Sequence, residues 1–145
     1  MVLAAYLSAG LTVSVPFGTG APYDLIVDTG KAIVRVQVKT GWYRKGCVNY
    51  KGRRRIRDST QKGMRGYYPD EVDYFAVYYP PSGQIFVIPC VLQSGDGCLR
   101  LIPALNSQTK KIRWASDFTW EKHLAELRQM ESKLILHSAA QARTA

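Results

Sequence analysis

The sequence predicts a mixed α/β (α+β) domain, a largely antiparallel central sheet flanked by an N-terminal and a C-terminal helix. Three patterns carry that expectation: alternating apolar and polar residues in the run AIVRVQVKT, two strand-like runs around a Pro-Pro-Ser-Gly turn, and apolar residues at helical spacing near the C-terminus. The 145 residues suit one domain, 1–145, and with 46% hydrophobic and 21% charged residues neither general disorder nor a disulfide-dense miniprotein fits.

Residues 1–23 carry no charged side chain, but Gly10, Pro16, Gly18, Gly20 and Pro22 interrupt them, which argues against a signal peptide or a membrane span. A helix Val2–Ala9 stopped by Gly10, followed by a strand Leu11–Val15, accounts for most of the segment. Next come Leu25–Val27, the turn signal Asp28-Thr29-Gly30 and the run Ala32–Thr40, which together predict a β-hairpin. Val34, Val36 and Val38 line one face of its second strand; Arg35, Gln37 and Lys39 line the other. Asp73–Tyr79 and Gln84–Pro89 form a second hairpin, and Cys98–Ile102 a further strand between Gly95-Asp96-Gly97 and Pro103. From Thr119 onward Leu124, Leu127, Met130, Leu134 and Ile135 mark an amphipathic helix, capped by Asp117 or Thr119. His123 and His137 fall in that tail without evident partners and read as surface or packing residues. Cys47, Cys90 and Cys98 have neither disulfide-framework nor zinc-ligand spacing, so a reducing, cytoplasmic setting is expected.

The charge is concentrated. Residues 44–66 hold nine basic side chains (Arg44, Lys45, Lys51, Arg53, Arg54, Arg55, Arg57, Lys62 and Arg65) against one acid, Asp58, and so carry +8 of the chain's +9. Four glycines and no apolar periodicity make this a loop or loosely ordered hairpin, and the charge suits a nucleic-acid phosphate backbone. Tyr43, Tyr50, Tyr67 and Tyr68 interleave with or flank it, as aromatic contacts to nucleic acid would require.

A two-residue loop at Thr29-Gly30 would set Asp24 opposite Arg35, one diagonal step from Gln37, and would bring Asp24, Arg35, Gln37 and Lys39 to one sheet face. A carboxylate and an amide oxygen there can ligate a hard cation such as Mg²⁺, beside a lysine that steadies a water and the charge developing at a phosphate. An odd-length loop would put Asp24 on the other face.

PYDLIVD followed by VRVQVKT resembles the core of the PD-(D/E)xK nuclease superfamily. The longer run, from GLTVSVPFG to DYFAVYYPPSGQIFVIP, is similar to its small group I intron-encoded homing endonucleases over about residues 3–89. The resemblance implies a restriction-endonuclease-like core, with Asp24 at the metal-binding aspartate, Gln37 at the second acidic position and Lys39 at the lysine. Gln37 stands where a carboxylate is more common, though some branches use glutamine. Many members add a glutamate on the N-terminal helix, whereas no acid precedes Asp24 here. Either the chain begins partway through that helix or the site runs with one carboxylate. Pro69-Asp70-Glu71 matches the family name literally, but no lysine follows until Lys110, and it reads as a turn leading into the strand at Asp73.

The expected activity is Mg²⁺-dependent, site-specific hydrolysis of phosphodiester bonds in double-stranded DNA, with Mn²⁺ as a substitute. Asp24 and Gln37 would hold the metal, Asp24, Gln37 and Lys39 would form the catalytic set, and 44–66 would dock the duplex. One active site cuts one strand, so a homodimer or larger symmetric homo-oligomer is expected, with no membrane partner. Two other classes remain: a catalytically inactive DNA-binding module of the same fold, and a small basic RNA-binding protein that would leave Asp24 and Lys39 unexplained.

Overall fold

A computed structural model describes residues 1–18, 20–55, 63–93, 95–103 and 112–130 of the chain. In chain order the elements are helix α1 (Val2–Ser8), then strands β1 (Thr12–Ser14), β2 (Leu25–Asp28), β3 (Ile33–Thr40), β4 (Trp42–Arg44) and β5 (Cys47–Tyr50). β6 (Arg53–Arg55), β7 (Met64–Gly66), β8 (Tyr74–Tyr79), β9 (Gln84–Pro89) and β10 (Gly97–Arg100) follow. A second helix, α2, covers 120–130. The main sheet has the strand order β1-β2-β3-β8-β9; β10-β5-β4 make a second sheet, and β6 and β7 form a two-stranded ribbon.

In the main sheet β3 and β8 run parallel and the other pairs antiparallel. A parallel pair needs a crossover connection. Here the connection, 41–73, contains the ribbon and two strands of the second sheet, β4 and β5. The chain leaves β3 at Gly41, where a Cβ would sit 2.6 Å from Val48 Cγ1 and 3.0 Å from Val77 Cγ1, so glycine permits the close approach of the two layers.

The sheet is covered on both faces. Val34 and Val36 from β3, Leu25 and Val27 from β2, and Tyr74, Ala76 and Val87 from the β8–β9 hairpin pack with Val2 and Tyr6 of α1 and Leu127 of α2. On the opposite face Phe75, Val77, Phe86 and Ile88 meet Val48, Tyr50 and Leu99 of the second sheet. The alternation expected for β3 is therefore the alternation observed.

Four expectations are corrected or completed. The β2–β3 connection has four residues, 29–32, because Asp28 pairs with Ile33 and the Thr29 N–H donates to the Ala32 carbonyl at 3.0 Å. An Asx turn, in which the Gly30 N–H donates to Asp28 Oδ1 at 2.7 Å, shapes it. The loop is longer than expected but still even, so the faces stand while the register shifts, setting Ile26 rather than Asp24 opposite Arg35. Segment 44–66, expected as a loop or loosely ordered hairpin, contains among its described residues the strand β5, whose Cys47, Val48 and Tyr50 are buried, and the β6–β7 ribbon. His123 is a packing residue rather than a surface one, 2% exposed, but it has a partner: its Nε2 lies 2.8 Å from the Tyr6 hydroxyl. Asp73 directly precedes β8, as a residue leading into that strand should, and is in addition an ion-pair partner described below. Arg57, Lys62, Leu134, Ile135 and His137 lie outside the described residues. Among the described residues no helix is long and apolar enough to cross a membrane.

Candidate active site

Asp24 and Gln37 meet at the end of the β2–β3 hairpin away from its turn. The Gln37 amide Nε2 donates to Asp24 Oδ2, and the same oxygen accepts the Val38 N–H at 2.8 Å, in place of a main-chain acceptor. The Asp24 N–H donates to the Val36 carbonyl at 2.9 Å, which fixes the backbone beside it. Gln37 is 7% exposed, an unusual depth for a polar side chain, and its second donor contact is the Val38 carbonyl at 3.3 Å.

Lys39 lies two residues further along the same face but does not contact Asp24. Its Nζ is 3.1 Å from the Tyr67 hydroxyl and 5.1 Å from the centroid of that ring. Tyr67 and Asp24 line one open cleft of about 450 Å³ together with Arg54 and Arg55 of β6. Of the three expected site residues Asp24 lines this cleft, Gln37 adjoins it through its contact with Asp24, and Lys39 is joined to it through Tyr67.

Arg35 shares the face but belongs to a separate arrangement. Its guanidinium grips Asp73 from Nε at 3.0 Å and Nη2 at 2.9 Å, and its backbone N–H donates to Asp73 Oδ2 at 2.7 Å. The Asp73 N–H donates back to the Arg35 carbonyl at 2.9 Å, so Asp73 clasps the start of β8 to β3.

The nine basic residues divide. Arg44 and Lys45 sit at the β4–β5 turn, where Lys45 (φ 49°) and Gly46 (φ 79°) make a two-residue connection between Arg44 and Cys47. The ribbon departs from the other end of β5. Lys51 pairs with Asp96 at 2.9 Å. Arg54 and Arg65, directly opposite in the ribbon, both turn to Glu71, at 3.7 Å and 2.5 Å. Their attraction, Arg65 first, holds the Glu71 carboxyl below its ordinary range. The Pro69-Asp70-Glu71 turn therefore anchors the base of the ribbon. Arg53 and Arg55 are exposed and make no close ion pair among the described residues.

Of the four tyrosines expected beside the charge, Tyr43 and Tyr68 are exposed, with Arg65 over the Tyr68 ring at 4.7 Å. Tyr50 is a core residue, and Tyr67 faces the cleft. The ion pairs of Glu71 and Asp73 and the inward role of Tyr67 go beyond the sequence reading; three acids, Asp70, Glu71 and Asp73, a few residues after the basic run were the available signal.

A family model for PD-(D/E)XK endonucleases matches residues 1–121. The chain belongs to this family. Its members generally use divalent metals. The fold is also that of a solved bacterial homing endonuclease, I-Ssp6803I, at 20% identity and a TM-score of 0.68, over 90% of this chain and 88% of that one. Among curated proteins none matches. The restriction-endonuclease-like core is therefore the fold observed.

Proposed function

We propose that this endonuclease cleaves double-stranded DNA site-specifically with Mg²⁺, using Asp24, Gln37 and Lys39. The observation that carries the proposal is the contact of Gln37 with Asp24, which lines a cleft together with Arg54 and Arg55. The homing endonuclease of like fold supports DNA as the substrate.

The donor set suits a hard cation. Among the described residues no three His, Cys, Asp or Glu side chains gather into a metal cage. Mg²⁺ needs none, since it keeps several waters and is commonly held by one or two carboxylates plus substrate phosphate. Asp24 supplies one anionic ligand, and rotation of the Gln37 amide would exchange its donor for an acceptor oxygen beside Asp24. When bound, such a cation supplies Lewis acidity at the scissile phosphate and eases deprotonation of water. Lys39 donates to a nonbridging phosphate oxygen and stabilises its growing charge. Arg55 and Arg53, with Arg57 and Lys62, hold the flanking phosphates; Arg44 and Lys45 add a second contact at the far end of β5. Residues 1–145 act as one domain, and two symmetric copies would cut both strands. Three free thiols, at Cys47, Cys90 and Cys98, suit the reducing cytoplasm.

The single carboxylate beside Gln37 favours one second reading, a DNA-binding module without cleavage. Incubation of a randomised duplex library with Mg²⁺ or Mn²⁺ separates the two. Cleavage is expected, is abolished by EDTA, and falls about 100-fold or more in Asp24→Asn and Lys39→Ala, with affinity for DNA within a few-fold of the parent. Gln37→Glu retains cleavage and tightens metal binding. Binding without cleavage in either metal would favour the module, and cleavage surviving EDTA would place the chemistry elsewhere.

A further inference from the structure

We propose that Tyr67, which lines the cleft, is the positioning residue for Lys39, holding its ammonium beside that cleft without neutralising it. The inference rests on the nuclease reading above but concerns a residue outside that catalytic set.

A lysine side chain has four rotatable bonds, and fixing its tip requires partners that compensate the lost freedom. Among the described residues no carboxylate pairs with Lys39. Its partner is Tyr67, whose hydroxyl accepts from Nζ at 3.1 Å while the ring lies 5.1 Å from the same nitrogen. The phenol takes one of three ammonium protons and the ring face offers its negative quadrupole. Two N–H groups and the full positive charge stay available for water and phosphate, which a carboxylate partner would have quenched.

Tyr67 is itself held. Its ring meets Phe75 edge-on at 5.2 Å and 85°, and Phe75 is the β8 partner of Gln37. The Arg54 guanidinium lies 5.7 Å from the ring centroid. Tyr67 therefore links three parts of the site: Lys39, the β8 strand beneath Gln37, and the ribbon. Because it directly follows β7, the partner of Lys39 is carried at the base of the element proposed to dock DNA. Displacing the ribbon would take the lysine's anchor with it.

Two variants separate the hydroxyl from the ring. Tyr67→Phe keeps the packing on Phe75 and the cation contact, whereas Tyr67→Ala removes both. With DNA and Mg²⁺, Tyr67→Phe is expected to lower the single-turnover cleavage rate about tenfold, the worth of one hydrogen bond to a charged group, with affinity for DNA within twofold. Tyr67→Ala should lose more. A readout independent of cleavage is the NMR spectrum of the Lys39 ε-methylene protons. They should be inequivalent in the parent chain and collapse toward one averaged signal in Tyr67→Phe. An unchanged rate in Tyr67→Phe, in a chain that Lys39→Ala inactivates, would overturn the proposal and spare the nuclease reading. Averaged methylene signals already in the parent would also overturn it. If the parent cleaves no DNA the nuclease reading falls separately, and the methylene signals decide whether Tyr67 holds Lys39.

Discussion

Val34, Val36 and Val38 alternate along β3 with Arg35, Gln37 and Lys39, and the two sets meet opposite layers. The valines face the two helices, in a core where one apolar side chain is interchangeable with another of similar volume. The polar residues face the second sheet, and each has its own partner: Arg35 has Asp73, Gln37 has Asp24, and Lys39 has Tyr67. An apolar face is satisfied by being covered. A half-buried polar face is satisfied one group at a time, so its partners had to come from the particular positions that the fold brings there.

The largest effect should come from exchanging the two chemistries. Val36 is 0% exposed, and Val36→Asp would bury a carboxylate with no partner, at a cost of about 4 kcal/mol or more. That is comparable with the whole stability of a small domain. Thermal unfolding by circular dichroism should find this variant unfolded or melting far below the parent, while Lys39→Ala, on the other face, melts within a few degrees of it. Val36→Asp melting like the parent would mean that the helix-covered face is not sealed.

The same contrast explains what could be read from the sequence. AIVRVQVKT announces both faces of β3, because side-chain direction follows a period of two whatever the neighbours are. Parity then grouped Asp24 with Gln37 and Lys39 even though the loop length was wrong, since a four-residue loop preserves the faces that a two-residue loop would give. What parity cannot supply is the partner across a crossover. Tyr67 and Asp73 reach the polar face because β3 and β8 lie parallel, which depends on how residues 41–73 fold back. Charge counting likewise found the basic segment but not its division, since β5 is buried by Val48 and Tyr50 and separates the β4–β5 turn from the ribbon.

Among the described residues the helix-covered face holds one buried polar exception, and it provides the next test. His123 sits among Tyr6, Tyr74 and Trp120, with ring centroids 5.7, 4.8 and 6.0 Å away, and burial lowers its pKa from 6.5 to about 4. Between those values the unfolded chain binds a proton that the folded chain does not. The stabilisation is complete above pH 6.5 and is lost progressively as the pH falls toward 4, by up to ~3 kcal/mol. Urea unfolding across this range should show the loss, and His123→Gln, which keeps a partner for the Tyr6 hydroxyl but cannot titrate, should flatten it. An equal pH dependence in His123→Gln would assign it to other groups.

The smallest effect concerns the polar face where it touches no chemistry. Arg35 and Asp73 each keep about a third of their side-chain surface in water, 31% in both cases, so solvent screens the pair and its coupling in a double-mutant cycle should be only ~1 kcal/mol. The two single variants should nevertheless differ. Arg35→Ala removes the guanidinium but leaves the backbone N–H of residue 35 donating to Asp73 Oδ2. Asp73→Ala removes the acceptor for both, leaving a half-buried backbone donor and a guanidinium held only by the Asp70 and Pro69 carbonyls, and should cost about 1 kcal/mol more than Arg35→Ala. Cleavage by Arg35→Ala should stay within a few-fold of the parent, because this clasp joins β3 to β8 while the Asp24–Gln37 contact joins β2 to β3. Equal destabilisation by the two variants would show that the guanidinium, and not the carboxylate's grip on the backbone, holds the strands together. A cleavage loss in Arg35→Ala as large as that in Lys39→Ala would make Arg35 part of the catalytic arrangement, and the division of this face into a clasp and a site would fail.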